Sequence, residues 1–195
     1  MPKKGVFIIE SLEFRDEKLD RYEGKFLSRI LKLGGVKTQY YYIRTSQELE
    51  EVLKIFKETE YRYLHFSCHG SEESIETTLN SIDFDLFSEF VTPVLDYKRL
   101  FISACSSVNK NLAKELFPFC KCYSLIGFEN DVSFNDAAIT WASFYHLILK
   151  NDKMRYDKIS PILESISKLY SIPINYFQAS QSAKRGFRLK RFTGN

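Results

Sequence analysis

Residues 61–70, YRYLHFSCHG, read together with residues 99–105, RLFISAC, decide the fold. Each begins as an apolar run of strand length, rich in aromatic and branched residues, and each closes on small and reactive residues. In an α/β protein the carboxyl ends of parallel strands face the crevice where ligands bind, because strand ends and helix starts bring side chains and backbone N–H groups together there. His69-Gly70 stands at the end of the first run and Cys105 at the end of the second. If the two strands are neighbours, an imidazole meets a thiol.

The flanking sequence supplies the rest of an alternating pattern. Gly5 to Leu12 (GVFIIESL) reads as a strand, and Asp16 to Leu33 as one helix carrying Leu19, Tyr22, Phe26, Ile30 and Leu33 at three-and-four spacing, stopped by Gly34-Gly35. Val36 to Ile43 is a second strand, and Thr45 with Glu48 three residues on predicts a capping box for a helix bearing Leu49, Val52, Leu53 and Phe56. After Gly70 come a polar loop, an apolar stretch from Phe84 to Leu95, and the Arg99–Cys105 strand. A short helix over 109–117, a fifth strand from Cys122 to Phe128, a long helix from Asn135 to Lys150 and a helical stretch around Ile159 to Leu169 complete the order. Strands alternating with helices predict a three-layer α/β fold, a mostly parallel sheet covered on both faces. With no repeat, low-complexity segment or linker, residues 1–183 are expected to form one domain and 184–195 a basic C-terminal tail.

Composition narrows the function classes. The chain has 195 residues, 44% apolar and 27% charged, with only 8 Gly and 5 Pro, which excludes disordered and collagen-like classes. The formal net charge is +3, and five of the 28 bases lie in the last twelve positions, which hold no acid. Without those five, 23 bases face 25 acids, so the body is near neutral at −2. The tail therefore reads as a solvated, frayed terminus, and nucleic acid is not an expected partner. The opening MPKKGVFIIE reaches an acid after four apolar residues, and no apolar run approaches membrane-spanning length, so a cytoplasmic protein with four free cysteines and no membrane partner is expected.

A cysteine is a nucleophile only as thiolate, and its ordinary pKa of about 8.5 leaves little of that form at neutral pH without a nearby imidazole or helix N-terminus. Cys105 beside His69 offers this. Backbone N–H groups at Cys105 and Gly70 would serve the oxyanion that amide hydrolysis requires. His65 alternates with Ser67 and His69 along the strand but reads as a packed core histidine, and Cys68 faces the other side. Cys120-Lys-Cys122 lacks a second ligand pair, and His146 lies on an amphipathic helix, so no metal and no cofactor is expected.

The runs YLHFSCHG (63–70), LFISAC (100–105), LIGF (125–128) and VSFNDA (132–137), followed by Phe144-Tyr145, resemble the caspase-like cysteine peptidases, most closely the bacterial CHAT family. The resemblance implies a caspase-like fold and a cysteine endopeptidase with His69 as general base, Cys105 as nucleophile and a thioester intermediate. It also suggests a bacterial setting, with a role in defence or regulated proteolysis. The caspase signature Gln-Ala-Cys-x-Gly is absent, because Cys105 follows Ser103-Ala104 and precedes Ser106-Ser107, so aspartate specificity is not implied. In related peptidases the segment after Gly127-Phe128 borders the pocket for the residue before the scissile bond, and in separase, a relative, an acid of this region meets an arginine. Phe128, Asp131 and Asp136 are therefore expected to line a pocket that prefers a basic side chain; the competing reading has Asp136 cap its helix while an apolar pocket lined by Phe128 and Phe134 selects Leu or Met.

The polar segment 70–83 beside His69 reads as a mobile element, and with a protein substrate a separate activator or regulatory protein is the expected partner. A catalytically silent binding or regulatory module is the alternative. A nucleotide binder is disfavoured because no glycine-rich phosphate loop follows any strand.

Overall fold

A computed structural model describes residues 5–150 and 154–194. The chain runs β1 (Gly5–Glu10), α1 (Phe14–Lys18), α2 (Glu23–Leu33), β2 (Lys37–Tyr42), α3 (Ser46–Lys57) and β3 (Tyr63–Ser67), followed by three short strands, β4 (His69–Gly70), β5 (Ser74–Glu76) and β6 (Ser81–Asp83). Then come α4 (Phe84–Val91), a 3-10 turn (Thr92–Val94), β7 (Arg99–Ser103), α5 (Lys110–Leu116), β8 (Ser124–Phe128), α6 (Phe134–Leu149), α7 (Tyr156–Tyr170), β9 (Ile174–Ala179) and β10 (Phe187–Phe192).

Seven strands form one sheet in the order β10-β9-β8-β7-β3-β1-β2. The five from β8 to β2 are parallel, and β9 and β10 are antiparallel additions at one edge. Side chains alternate across the pleat, and the two cores follow that alternation. Phe7, Ile9, Leu64, Phe66, Leu100, Ile102 and Leu125 pack on one face beneath α3, α4 and α5. Val6, Ile8, Phe101, Ile126 and Phe128 pack on the other beneath α2, α6 and α7, around Trp141, Phe144 and Tyr145. Burial on both faces is why β1 reads as an unbroken apolar run. The capping box at α3 forms as read, with Thr45 accepting from the Glu48 N–H, a device worth about 1 kcal/mol.

Three expectations are corrected. The helix over 16–33 is two helices, because Asp20 adopts the left-handed conformation (φ 54°), which a short polar side chain tolerates, and turns the chain between α1 and α2. The polar loop after Gly70 is a three-stranded antiparallel sheet, β4-β5-β6, with Ile75 and Ile82 buried in the core. The terminus from 184 onward is not frayed. β10 pairs along its whole length with β9, Phe187 and Phe192 are buried in opposite cores, Arg191 pairs with Glu129, and Lys190 Nζ donates to Ser160 Oγ at 2.7 Å. Its bases are those of a charged edge strand, which resists pairing with another chain; Asn195 lies outside the described residues.

Candidate active site

β3 and β7 are neighbours in register, with Ser67 opposite Ser103. Two residues past each of them lie His69 and Cys105, on the same side of the sheet by alternation. Both line one cavity of about 50 Å³ with Glu23, Cys68, Ser103, Ala104, Val132, Phe134 and Ala137. Cys105 is half-buried, and its Sγ lies 3.7 Å from the Val132 carbonyl. Its own N–H donates to no protein acceptor among the described residues.

The loop after Cys105 is held tightly. Ser106 sits in the left-handed region (φ 54°), uncommon for a residue with a side chain. Ser107 Oγ donates to the Cys105 carbonyl at 2.9 Å, and Asn109 Nδ2 donates to the Ser106 carbonyl at 3.0 Å. Gly70 is required by close approach: a Cβ there would overlap Ser107 Oγ and come within 3.0 Å of the Ser74 carbonyl. The β4 strand thereby lies against the Cys105 loop.

His69 has a partner the sequence did not announce. Its Nε2 lies 2.7 Å from Asp16 Oδ2, and Asp16, only 4% exposed, also accepts from Arg21 Nη1 at 3.0 Å. With Nε2–H donating to the carboxylate, Nδ1 is the nitrogen left to accept a proton. Phe134 packs edge-on to the imidazole, ring centroids 5.4 Å apart. Glu13, Asp16 and His69 hold ligand-type atoms within 4.8 Å of one another, while Cys120 and Cys122 belong to no such group of three among the described residues.

His65 lies in the core as expected, fully buried, with Nδ1 3.1 Å from the Tyr145 hydroxyl and its ring edge-on to Trp141. Cys68 packs on the opposite core, and burial pushes its thiol well above the ordinary range, so it is no source of thiolate at neutral pH.

The predicted substrate-pocket residues are not brought together. Phe128 is fully buried under Trp141, with ring centroids 5.2 Å apart, because it occupies the last inward position of β8. Asp131 is exposed and accepts from Ser106 Oγ at 3.1 Å. Asp136 is exposed in the first turn of α6; the cap there is Ser133, whose Oγ accepts from the Asp136 N–H at 3.3 Å and donates to Asp136 Oδ2 at 2.6 Å, so Asp136 supplies a first-turn charge and not the cap. None of the three lines the cavity shared by His69 and Cys105.

Behind that cavity lies a polar row. Glu10, Ser67 and Ser103 are successive partners across β1, β3 and β7, all on the α2 face. The Glu10 carboxylate caps α2, accepting from the N–H groups of Gly24 (2.6 Å) and Lys25 (3.1 Å) and from the Tyr40 hydroxyl (2.7 Å). Burial pushes the Glu10 carboxyl up to about 7, outweighing the pull of these donors. A raised carboxyl favours its protonated form in the folded chain. Its stabilising contribution is thus full below the ordinary value of 4.5 and is lost as pH rises through about 7. Between those limits, the stability of Glu10→Gln relative to wild type should rise by about 3 kcal/mol in urea unfolding; an unchanged difference would refute the shift.

No protein-family profile matches the chain, and no curated protein matches it. Among solved structures, the chain is similar to a secreted C11 cysteine protease from Bacteroides thetaiotaomicron, iotapain, with a TM-score of 0.61 and 12% identity, over 91% of this chain and 67% of that one. At that identity the likeness carries the architecture, and the chain has the mixed α/β caspase-like fold, a mostly parallel seven-stranded sheet between two helical layers.

Proposed function

We propose that the protein is a cysteine endopeptidase that hydrolyses a peptide bond of a protein substrate through Cys105 and His69. The observation that carries this reading is the convergence of Cys105, His69 and the buried Asp16 at the carboxyl ends of neighbouring parallel strands. A thiol, a base and a carboxylate that orients the base form the constellation acyl transfer needs.

In this mechanism His69 takes the Cys105 proton on Nδ1 and the thiolate attacks the scissile carbonyl carbon. The Cys105 N–H, with the adjoining Gly70 backbone, meets the oxyanion. Collapse of the tetrahedral adduct breaks the C–N bond, the imidazolium gives its proton to the departing amine, and the acyl group remains as a thioester. Water, deprotonated by His69, then releases the acid and regenerates the thiol. A polar cleft of about 390 Å³ beside Ser106 and Asn109 gives an extended chain room beyond the nucleophile.

The resemblance of the sequence motifs favours the CHAT group within the caspase-like peptidases, and with it a cytoplasmic role in bacterial defence under a separate activator. The ordered β4-β5-β6 sheet removes a mobile loop beside His69 as the motive for that activator. No described helix is long and apolar enough to cross a membrane.

Incubation with a peptide bearing an electrophilic ketone, followed by intact mass and peptide mapping, should give a single adduct at Cys105. Absence of any adduct, with the protein folded, would favour the silent module instead.

A further inference from the structure

α1 and β4 bring three metal-type donors around one point. Glu13 is the residue just before α1 and Asp16 lies in its first turn, so a spacing of three puts both carboxylates on one side of that turn, while His69 opens β4. One oxygen from each acid and one ring nitrogen all lie within 4.8 Å of one another. The ligand atoms of a tetrahedral zinc site, about 2.0–2.2 Å from the ion, stand about 3.3–3.5 Å apart. The Asp16–His69 pair, at 2.7 Å, has to open by only about half an ångström to admit the ion.

The two acids differ in how they are held. Asp16 is only 4% exposed, and Arg21 Nη1 donates to its Oδ1 at 3.0 Å, which keeps Oδ2 against the ring. A hydrogen bond to the outer oxygen of a carboxylate is the usual support of a metal ligand. Glu13 is exposed and makes no side-chain cap at α1, so its carboxylate can swing onto an ion from the solvent side. The two carboxylates outweigh the one guanidinium, and the group attracts a cation. One imidazole nitrogen and two carboxylate oxygens, with a side open to water, suit zinc; calcium takes six to eight oxygens, and magnesium keeps most of its waters.

We propose that Glu13, Asp16 and His69 bind Zn²⁺, and that the ion silences the active site by occupying His69 Nε2. Without metal, Nε2–H donates to Asp16 and the Nδ1 lone pair takes the Cys105 proton. When zinc takes the Nε2 lone pair, the proton on Nε2 is given up to water and the neutral ring takes up one on Nδ1 instead. No lone pair is then left for the thiol. Cys105 is not a member of the group, so the ion sits on the carboxylate side of the ring. The silencing rests on Cys105 and His69 being the peptidase pair; the metal site does not.

The test uses the whole protein with ¹⁵N-labelled histidine. The chain has three histidines, and His69→Ala assigns the His69 ring in long-range proton–nitrogen spectra, which show which ring nitrogen carries the proton. In metal-free protein the His69 proton should sit on Nε2, and an equimolar amount of ZnCl₂ should move it to Nδ1. Cys105→Ala should respond in the same way, and Glu13→Gln should need about 10-fold more zinc or beyond. CaCl₂ at the same concentration should change nothing. In parallel, zinc should slow alkylation of Cys105 by iodoacetamide by about 10-fold or more, and EDTA should restore it. Glu13→Gln should match the wild-type rate without metal and keep most of it in zinc.

A His69 ring unmoved by zinc, a response unchanged in Glu13→Gln or lost in Cys105→Ala, or an equal response to calcium would each overturn the site. A shifted ring with alkylation unslowed would overturn the silencing. Metal-free Cys105 reacting no faster in wild type than in His69→Ala would overturn the peptidase reading and the silencing with it, while the ring spectra decide the metal site by themselves.

Discussion

Cys105→Ala will abolish peptide hydrolysis while leaving the fold intact. The thiol is half-buried, its one polar contact among the described residues is the 3.7 Å approach to the Val132 carbonyl, and it lies past the end of β7, outside both cores. Removing one sulfur from such a place should cost no more than about 1 kcal/mol, within the range of a single weak hydrogen bond. The chemical step, by contrast, has no substitute nucleophile: burial holds the neighbouring Cys68 thiol protonated, and no thioester can form on alanine. Turnover on a fluorogenic peptide should fall to background with an unfolding midpoint close to that of wild type. Turnover within 10-fold of wild type, an effect of only about 1.4 kcal/mol, would remove Cys105 from the mechanism.

His69→Ala should follow with a loss of about 10²-fold or more, the scale of a positioned acid–base group. His65→Ala offers the contrast. That ring fills core space between Trp141 and Tyr145, so its removal should destabilise the protein by about 2–4 kcal/mol, as for other large-to-small core changes.

The α/β alternation and the two strand ends were legible because they are local signals. The unbroken burial of β3 and β7, which reads as an apolar run, and the small residues after them need only the chain around positions 63–70 and 99–105. Asp16 was not legible, since its contact with His69 spans 53 residues and depends on the left-handed turn at Asp20 that separates α1 from α2. The spacing of Leu19, Tyr22 and Phe26 hides that break. Glu23 looked like one more polar residue in a helical pattern; only the cross-strand register of Ser67 and Ser103 reveals what faces it. Asp131 and Asp136 drew attention because they follow Phe128 in sequence, but sequence nearness to a strand end does not fix side-chain direction, and both point to solvent. β10 was hidden because an edge strand carries charges for the same reason a frayed terminus does: solvent wets it.

Asp16→Asn is expected to lower kcat by about 10²- to 10³-fold with little change in KM, somewhat less than the loss when a buried triad aspartate is changed elsewhere. The carboxylate touches His69 and Arg21 and does not itself line the cavity, so it acts through the imidazole as a positioning residue. Asparagine fills the same volume but offers one acceptor where aspartate offers two, and both neighbours are donors. If its carbonyl faces His69, the amide N–H groups oppose Arg21, which is half exposed and can swing into water; the ring keeps its orientation but loses the anion that stabilises the imidazolium formed at each proton transfer. If its amide faces His69, the proton moves to Nδ1 and the base is absent. Either arrangement slows both acylation and deacylation, so iodoacetamide should also alkylate Cys105 more slowly in the variant. Arg21→Ala separates this role from a merely structural one. It removes the other partner of the same carboxylate, but from an exposed position where an ion pair contributes only about 0–1 kcal/mol, so kcat should fall by less than about 10-fold. Equal losses in Asp16→Asn and Arg21→Ala would mean that the Asp16–Arg21 pair only secures the α1 turn, and unchanged kcat in Asp16→Asn would reduce the site to a dyad.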